Sequence, residues 1–321
     1  MRAAVCAQYG PPEVVRVVEH SVPPVGPGQV GVRVHAAAVN FPDVLLVAGS
    51  YQVKVAPPFV PGSEFAGVID ESSSESVGFD VGDRVIGTGM VGAFAQRVVV
   101  DAGALSPIPA GMDLRSAAAS GVAHRTAYHT LRSMARLARG DELIVLGAGG
   151  GVGLAAVQLG AALGATVTAV ASSRDKLAVA ADNGATHLID HRAGPLRGAL
   201  RKVLPDGADV VIDPVGGELS EPALRALHRG GRFVTVGYAC GVIPRIPLNL
   251  VLVKGIHILG FQFQDVPADE FARNEAELQA HLTGGHVAPH IGAVYSLDEV
   301  ALALRHVAEG RAIGKVLIDL S

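Results

Sequence analysis

Two cysteines in 321 residues, Cys6 and Cys240, are too few and too far apart for a disulfide framework or a cysteine-rich structural zinc site. Basic residues are outnumbered, 26 against 30 acidic, and no run of Lys or Arg breaks the pattern. A net charge of −4 gives no electrostatic footprint for nucleic acid. The opening residues Met1 to Ala7 meet Gly10-Pro11-Pro12 without the apolar core of a signal peptide, so a cytoplasmic location is expected. His124 and His129 flank a helical stretch, and no His/Cys pair has the spacing of a catalytic metal site. There is no internal repeat.

Charge is missing altogether from Leu143 to Ser173, a span long enough to cross a bilayer. Seven glycines inside it argue otherwise, because each costs a helix interior about 1 kcal/mol against alanine. The span divides better into a buried strand at Leu143–Leu146, a turn at Gly147–Gly151, and a helix from Val152 to Leu163 stopped by Gly164. A second strand, Thr166–Ala171, follows. A strand–turn–helix–strand unit explains the lack of charge without a membrane.

The first 120 residues read as short strands bounded by Gly and Pro, with an exposed loop at Glu71–Gly78. A helical stretch from Asp113 to Ala138 has a break near Gly121. Beyond Ser173, helices and strands alternate: helix Asp175–Asn183, strand His187–Asp190, helix Pro195–Val203, strand Val210–Asp213, helix Leu219–His228, then strands at Gly231–Gly237 and Ile256–Phe263. Alternation of this kind implies right-handed crossovers and a parallel sheet of six strands. The tail shows a helix near Leu297–Glu309 and a last strand at Lys315–Ile318.

Ala148-Gly149-Gly150-Gly151-Val152-Gly153 matches the dinucleotide fingerprint G-x-G-x-x-G with alanine first. Ala148, Gly150, Gly151 and Val152 allow the tight turn and the approach of a pyrophosphate to a helix start, and Gly153 lets helix and strand pack closely. About 20 residues on, where an NAD site carries an acid, stands Ser172. Arg174 and Lys176 supply positive charge there, and His191-Arg192 closes the third strand nearby. That favours the 2′-phosphate of NADPH. Asp175 is read as part of a capping box opened by Ser172.

Together these residues resemble the medium-chain dehydrogenase/reductase superfamily, in its zinc-free quinone oxidoreductase (zeta-crystallin-like) branch. The resemblance runs through Val39-Asn40-Phe41-Pro42-Asp43, Gly49-Ser50-Tyr51, Pro57 to Gly67, Val81 to Val85, Thr126-Ala127-Tyr128, Ala148 to Gly153, Asp213 to Gly217 and Gly314-Lys315. It implies an α/β protein with a GroES-like β domain, residues 1–122 and 263–321, and a doubly wound Rossmann domain at 123–262. Zinc alcohol dehydrogenases of the superfamily carry Cys near the position of Asn40 and Gly-His-Glu where this chain has Gly62-Ser63-Glu64, so no metal is expected. The resemblance assigns Asn40 to positioning the nicotinamide or a substrate carbonyl. It places Thr126, Val215, Gly237, Tyr238, Phe261, Phe263 and Lys315 along the cofactor cleft. The two Phe rings equally suit a core, and Lys315 a surface cation at a strand start. Tyr51 suits either a proton or hydrogen-bond donor or an aromatic packing the pocket rim.

Without a Lewis acid, hydride transfer to an already electron-poor acceptor is the chemistry to expect, a quinone or an α,β-unsaturated carbonyl reduced with NADPH. An enoyl-thioester (acryloyl-CoA-like) reductase is the alternative, for which Lys54 and Arg245 are the only basic hints. A non-catalytic NADPH- or RNA-binding protein is the alternative of another class, and the acidic balance weighs against RNA. A homodimer is expected, joined at the apolar edge of the sixth strand.

Overall fold

A computed structural model describes residues 1–73 and 78–321. The chain forms two compact units, Met1–Val122 with Ala288–Ser321, and Ala123–Val287. The second boundary was expected at 262/263. It falls later because Phe261, Val266, Leu278 and Val287 share one apolar cluster with Leu131, Leu143 and Leu159. The segment that follows the sixth strand therefore buries its apolar face in the nucleotide-type unit.

In the first unit the elements are β1 (Arg2–Cys6), β2 (Val15–Glu19), β3 (Gln29–Val39), α1 (Phe41–Val47), β4 (Glu64–Ser72), β5 (Arg84–Thr88), β6 (Arg97–Asp101), β7 (Leu105–Pro107) and α2 (Leu114–Ser120). From the chain's end come β14 (Ile291–Ser296), α10 (Val300–Ala308) and β15 (Lys315–Asp319). Among the described residues, seven strands make one sheet, β14-β15-β3-β4-β5-β7 with β6 on β3, and β1 pairs with β2. Of the expected loop at Glu71–Gly78, Glu71 and Ser72 instead end β4, and residues 74–77 lie outside the described residues. The all-β expectation also missed α1, whereas α2 is the first part of the helical stretch expected from Asp113, ending at the expected break near Gly121.

Register decides what this sheet brings together. Strands β3 and β4 pair antiparallel with Ala38 opposite Glu64, and β15 pairs on the other side of β3 with Val316 opposite Val39. The end of β3 and the starts of β4 and β15 thus coincide. Asn40, Glu64 and Lys315 meet there although 24 to 275 positions separate them.

The second unit holds α3 (Ala123–His129), β8 (Glu142–Leu146), α4 (Gly151–Ala162), β9 (Thr166–Ala171), α5 (Arg174–Asp182), β10 (His187–Asp190) and α6 (Leu196–Val203). It continues with β11 (Ala208–Asp213), α7 (Ser220–Ala226), β12 (Leu227–Thr235), α8 (Leu248–Lys254), β13 (His257–Gly260) and α9 (Ala268–Thr283). Among the described residues the sheet has six strands, all parallel, in the order β10-β9-β8-β11-β12-β13. The order reverses between β8 and β11, the switch point outside which such sheets bind ligands. The helix expected at Leu219–His228 stops at Ala226, and β12 begins at once with a register shift between Ala208 and Val210 on its partner. The sixth strand is short. Phe263, expected at its end, lies in a separate 3₁₀ turn. No helix among the described residues is long and apolar enough to cross a membrane. The charge-free span is β8, the turn, α4 and β9.

Candidate active site

The C-terminal ends of β8 to β12 carry most of the expected nucleotide residues. Gly147 takes a left-handed conformation (φ +62°), and α4 starts at Gly151 with no side-chain cap and no acid in its first turn. Its leading N–H groups and dipole are therefore arranged for an anion. Three neighbours shape the turn. A Cβ on Gly153 would overlap the Gly147 carbonyl, a Cβ on Gly149 would collide with the Lys176 stem, and a Cβ on Gly147 would stand 2.6 Å from Cγ2 of Val215. Ala148 is buried beneath the turn, and Gly150 and Val152 are half-buried on it.

Beside this turn lies a group of cations. Lys176 is half-buried; burial and the charge of Arg192 hold its ammonium below the usual lysine range. His191 is likewise lowered, first by burial and then by Arg192, with Lys176 adding to it. Mutually opposed cations at the edge of a glycine turn are what a phosphate would neutralise. Arg192 was noted from sequence only as a neighbour, and here it is the main partner of this group. Arg174 opens α5 exposed to solvent. The cap of α5 differs from expectation. Ser173, not Ser172, accepts the Lys176 N–H, at 3.3 Å. Ser172 is half-buried and Asp175 is exposed in the first turn.

Asp213 organises the next loop. Fully buried at the end of β11, it accepts the N–H groups of Val215 (2.9 Å) and Gly216 (2.8 Å) and the Ser220 hydroxyl. Gly237 and Tyr238 follow β12, and Tyr238 packs on Gly216. Thr126, buried on α3, sits one residue from Arg125, whose guanidinium lies 5.7 Å from the Phe263 ring centre. Phe263 in turn meets Phe261 edge-on at 4.9 Å. Phe261 is buried in the apolar cluster and Phe263 is partly exposed.

The other expected residues belong to the first unit. Lys315 is only 4% exposed, so it is not a surface cation. Its Nζ donates to Glu64 Oε1 and to Asn40 Oδ1, each at 2.6 Å. The Asn40 amide group donates to Glu64 Oε1 at 2.8 Å and to Ser63 Oγ at 3.1 Å. Glu64 Oε2 accepts the Val122 N–H at 2.7 Å. Both amide hydrogens of Asn40 are therefore engaged inside the protein. Behind them Asp43, wholly buried, accepts the Asn40 backbone N–H on Oδ2 at 2.7 Å. Burial pushes the Asp43 acid up to about 7, opposed by that N–H, the Ser63 side chain and the Lys315 charge, and assisted by Glu64. Asp43, Ser63 and Glu64 were quoted in the sequence motifs without a role. The signal for Asp43 was present, since Asn40-Phe41-Pro42-Asp43 is a helix N-terminus with an acid at its third position. Tyr51, half-buried just beyond α1, packs against the apolar core of this unit. Among the described residues, no three His, Cys, Asp or Glu side chains gather as metal ligands.

With this geometry in view, comparison with known proteins is decisive. Residues 26–110 match the alcohol dehydrogenase GroES-like domain and residues 151–279 the zinc-binding dehydrogenase domain. The chain is 36% identical to quinone oxidoreductase-like protein 2 of Bos taurus over 99% of its own length and 92% of that protein. The chain belongs to the medium-chain dehydrogenase/reductase superfamily. Within it, the match to Homo sapiens quinone oxidoreductase is 31% identical, covering all of this chain and 98% of the other. Escherichia coli quinone oxidoreductase, crystallised with NADPH, superposes with a TM-score of 0.92 at 25% identity, over 99% of this chain and 100% of that one. The chain is thus a quinone oxidoreductase-like member of the superfamily, with an oxidoreductase fold of GroES-like and parallel-sheet units.

Proposed function

We propose that the protein reduces conjugated carbonyl acceptors, quinones or enones, with NADPH, and without a metal. The observation that carries this is the cation group of Lys176, His191 and Arg192 beside an uncapped glycine turn. Relatives named as quinone oxidoreductases, one crystallised with NADPH, support it. NADPH supplies the hydride. In this reading Gly150, Gly151, Val152 and Gly153 hold the pyrophosphate, and Ser172, Arg174, Lys176 and His191 hold the 2′-phosphate. Val215, Gly237, Tyr238, Thr126, Phe261 and Phe263 border the remaining cofactor. Asn40 and Lys315 act as positioning residues, because their polar groups are engaged by Ser63 and Glu64. Tyr51 borders the acceptor. Lys54, a hint of thioester binding, donates to the Gly49 carbonyl, which weighs against the acyl-thioester alternative.

Steady-state kinetics with 1,4-benzoquinone, 2-cyclohexen-1-one and a secondary alcohol with NADP⁺ test the reading. Turnover of the first two with NADPH is expected, with alcohol oxidation absent. The reverse pattern overturns it. Asn40→Ala should lower turnover more than it lowers NADPH affinity.

A homodimer is part of the same proposal. Strand β13 pairs only with β12 among the described residues, and α8 nearby exposes Leu248 and Leu252 at 73% and 83%. An open strand edge beside uncovered leucines suits pairing about a twofold axis. Light scattering should give twice the chain mass of 32.8 kDa at micromolar concentration; a monomer mass would refute it.

A further inference from the structure

We propose that Arg125, tied through Glu275 to His129, is a positioning residue that holds the Phe263 ring for the nicotinamide end of NADPH. This rests on the reading above that Phe263 borders the cofactor. Phe263 opens a three-residue 3₁₀ turn after β13 and is 38% exposed. A half-exposed ring on so short a turn keeps its place only if neighbours hold it. Three rings and a cation do so. Phe261 meets it edge-on at 4.9 Å, His129 at 5.7 Å and Phe271 at 6.3 Å, with the planes 75° to 78° apart. The Arg125 guanidinium stands 5.7 Å from the centre of Phe263 and 5.6 Å from that of Phe271, within the range of a cation–π contact to both.

The cation is itself fixed from α9. Arg125 and His129 lie one turn apart on α3, and Phe271, Asn274 and Glu275 share one-turn spacing on α9. Arg125 Nε donates to Glu275 Oε2 at 2.9 Å, and His129 Nε2 donates to Oε1 at 2.8 Å. Burial disfavours the Glu275 charge, but the His129 hydrogen bond and the Arg125 charge outweigh it and hold the acid below the usual carboxylate range. Glu275 therefore stays an anionic anchor for both donors at neutral pH. His129, with no exposure, accepts at Nδ1 from the buried Asn274 amide at 3.3 Å, which leaves its hydrogen on Nε2 for Glu275. Asn274 also donates to Ser133 Oγ at 2.9 Å, and the His129 ring stacks on Phe271 at 4.6 Å.

Apolar side chains would join α3 to α9 at least as well, because taking charges out of water is costly. What the charged groups add is direction. A planar guanidinium bonded at Nε keeps one place beside the rings, where an alkyl chain would drift. Thr126, the next residue of α3, borders the cofactor in the same reading. One helix thus supplies a border residue directly and fixes a second through Arg125.

Calorimetric titration with NADPH and with 2′-phospho-ADP-ribose, the same nucleotide without nicotinamide, tests the assignment. Phe263→Leu should weaken NADPH roughly 2- to 10-fold, the worth of an aromatic contact, and hardly move the fragment. Arg125→Met keeps a side chain of similar length and deletes the guanidinium. It should weaken NADPH roughly 2- to 5-fold, again without the fragment, and Glu275→Gln should do the same. Added to Phe263→Leu, Arg125→Met should weaken NADPH hardly further, since the ring it holds is gone. Wild-type NADPH affinity in Arg125→Met, a full additional loss in the double variant, or equal weakening of NADPH and the fragment overturns the positioning role alone. Wild-type NADPH affinity in Phe263→Leu overturns the placement of Phe263 at the cofactor, and the role of Arg125 with it.

Discussion

Lys315→Ala should destabilise the protein by about 3–5 kcal/mol, the cost of leaving a buried charge without its partner. Glu64 is fully buried and Lys315 nearly so, hence water cannot replace the lost ammonium. Glu64 Oε1 would retain only the Asn40 amide, and Asn40 Oδ1 would lose its donor. On the usual scale for a unit of this size, the melting temperature should fall by roughly 6–20 °C. The paired variant Lys315→Met, Glu64→Gln removes both charges and keeps one acceptor oxygen, for either the Val122 N–H or the Asn40 amide. It should be more stable than Lys315→Ala, since neutral replacement of a buried pair costs far less than breaking it. Chemical denaturation of the wild type and these variants checks both statements. A loss below about 1 kcal/mol for Lys315→Ala would mean that the pair behaves as an exposed one and that its burial is wrongly placed.

That network was the part of the site least legible in the sequence, and the reason is its range. Lys315 lies 251 positions from Glu64 and 275 from Asn40. Only the register of β3 against β4 and β15 brings them together, and register is a property of paired strands rather than of any one segment. Read alone, Lys315 is a charge before an apolar strand, which suits solvent as well as a core. The nucleotide-type unit was legible because its signals are local. A glycine turn between a strand and a helix constrains its own backbone, and each crossover spans a few tens of residues. Even there, Arg192 joined the site only through space, from the loop after β10. Helix α1 was missed because its seven residues are too few to show a period, although Pro42 and Asp43 mark its start.

Which dinucleotide the turn selects is testable by substitution, and the structure decides which variant is informative. The Lys176 stem packs over Gly149, so alanine there would remove a wall of the turn as well as a charge. Lys176→Met keeps the stem and deletes the ammonium. If that ammonium meets a 2′-phosphate, its loss costs about 1.5–3 kcal/mol, the range for a hydrogen bond to a charged group. NADPH affinity should then fall roughly 10- to 150-fold while NADH affinity hardly moves. Burial and then the charges of Arg192 and Lys176 depress His191, so an arriving phosphate that neutralises those charges should raise the His191 pKa again. NADPH binding should accordingly take up protons, and its affinity should weaken as pH rises through the histidine range. Calorimetric titration of both nucleotides in buffers of different ionisation enthalpy measures affinity and proton uptake together. Equal weakening of NADPH and NADH in Lys176→Met would assign the residue to the pyrophosphate turn. A wild type that prefers NADH would assign the ribose to Asp175, which stands exposed in the first turn of α5 within the same loop.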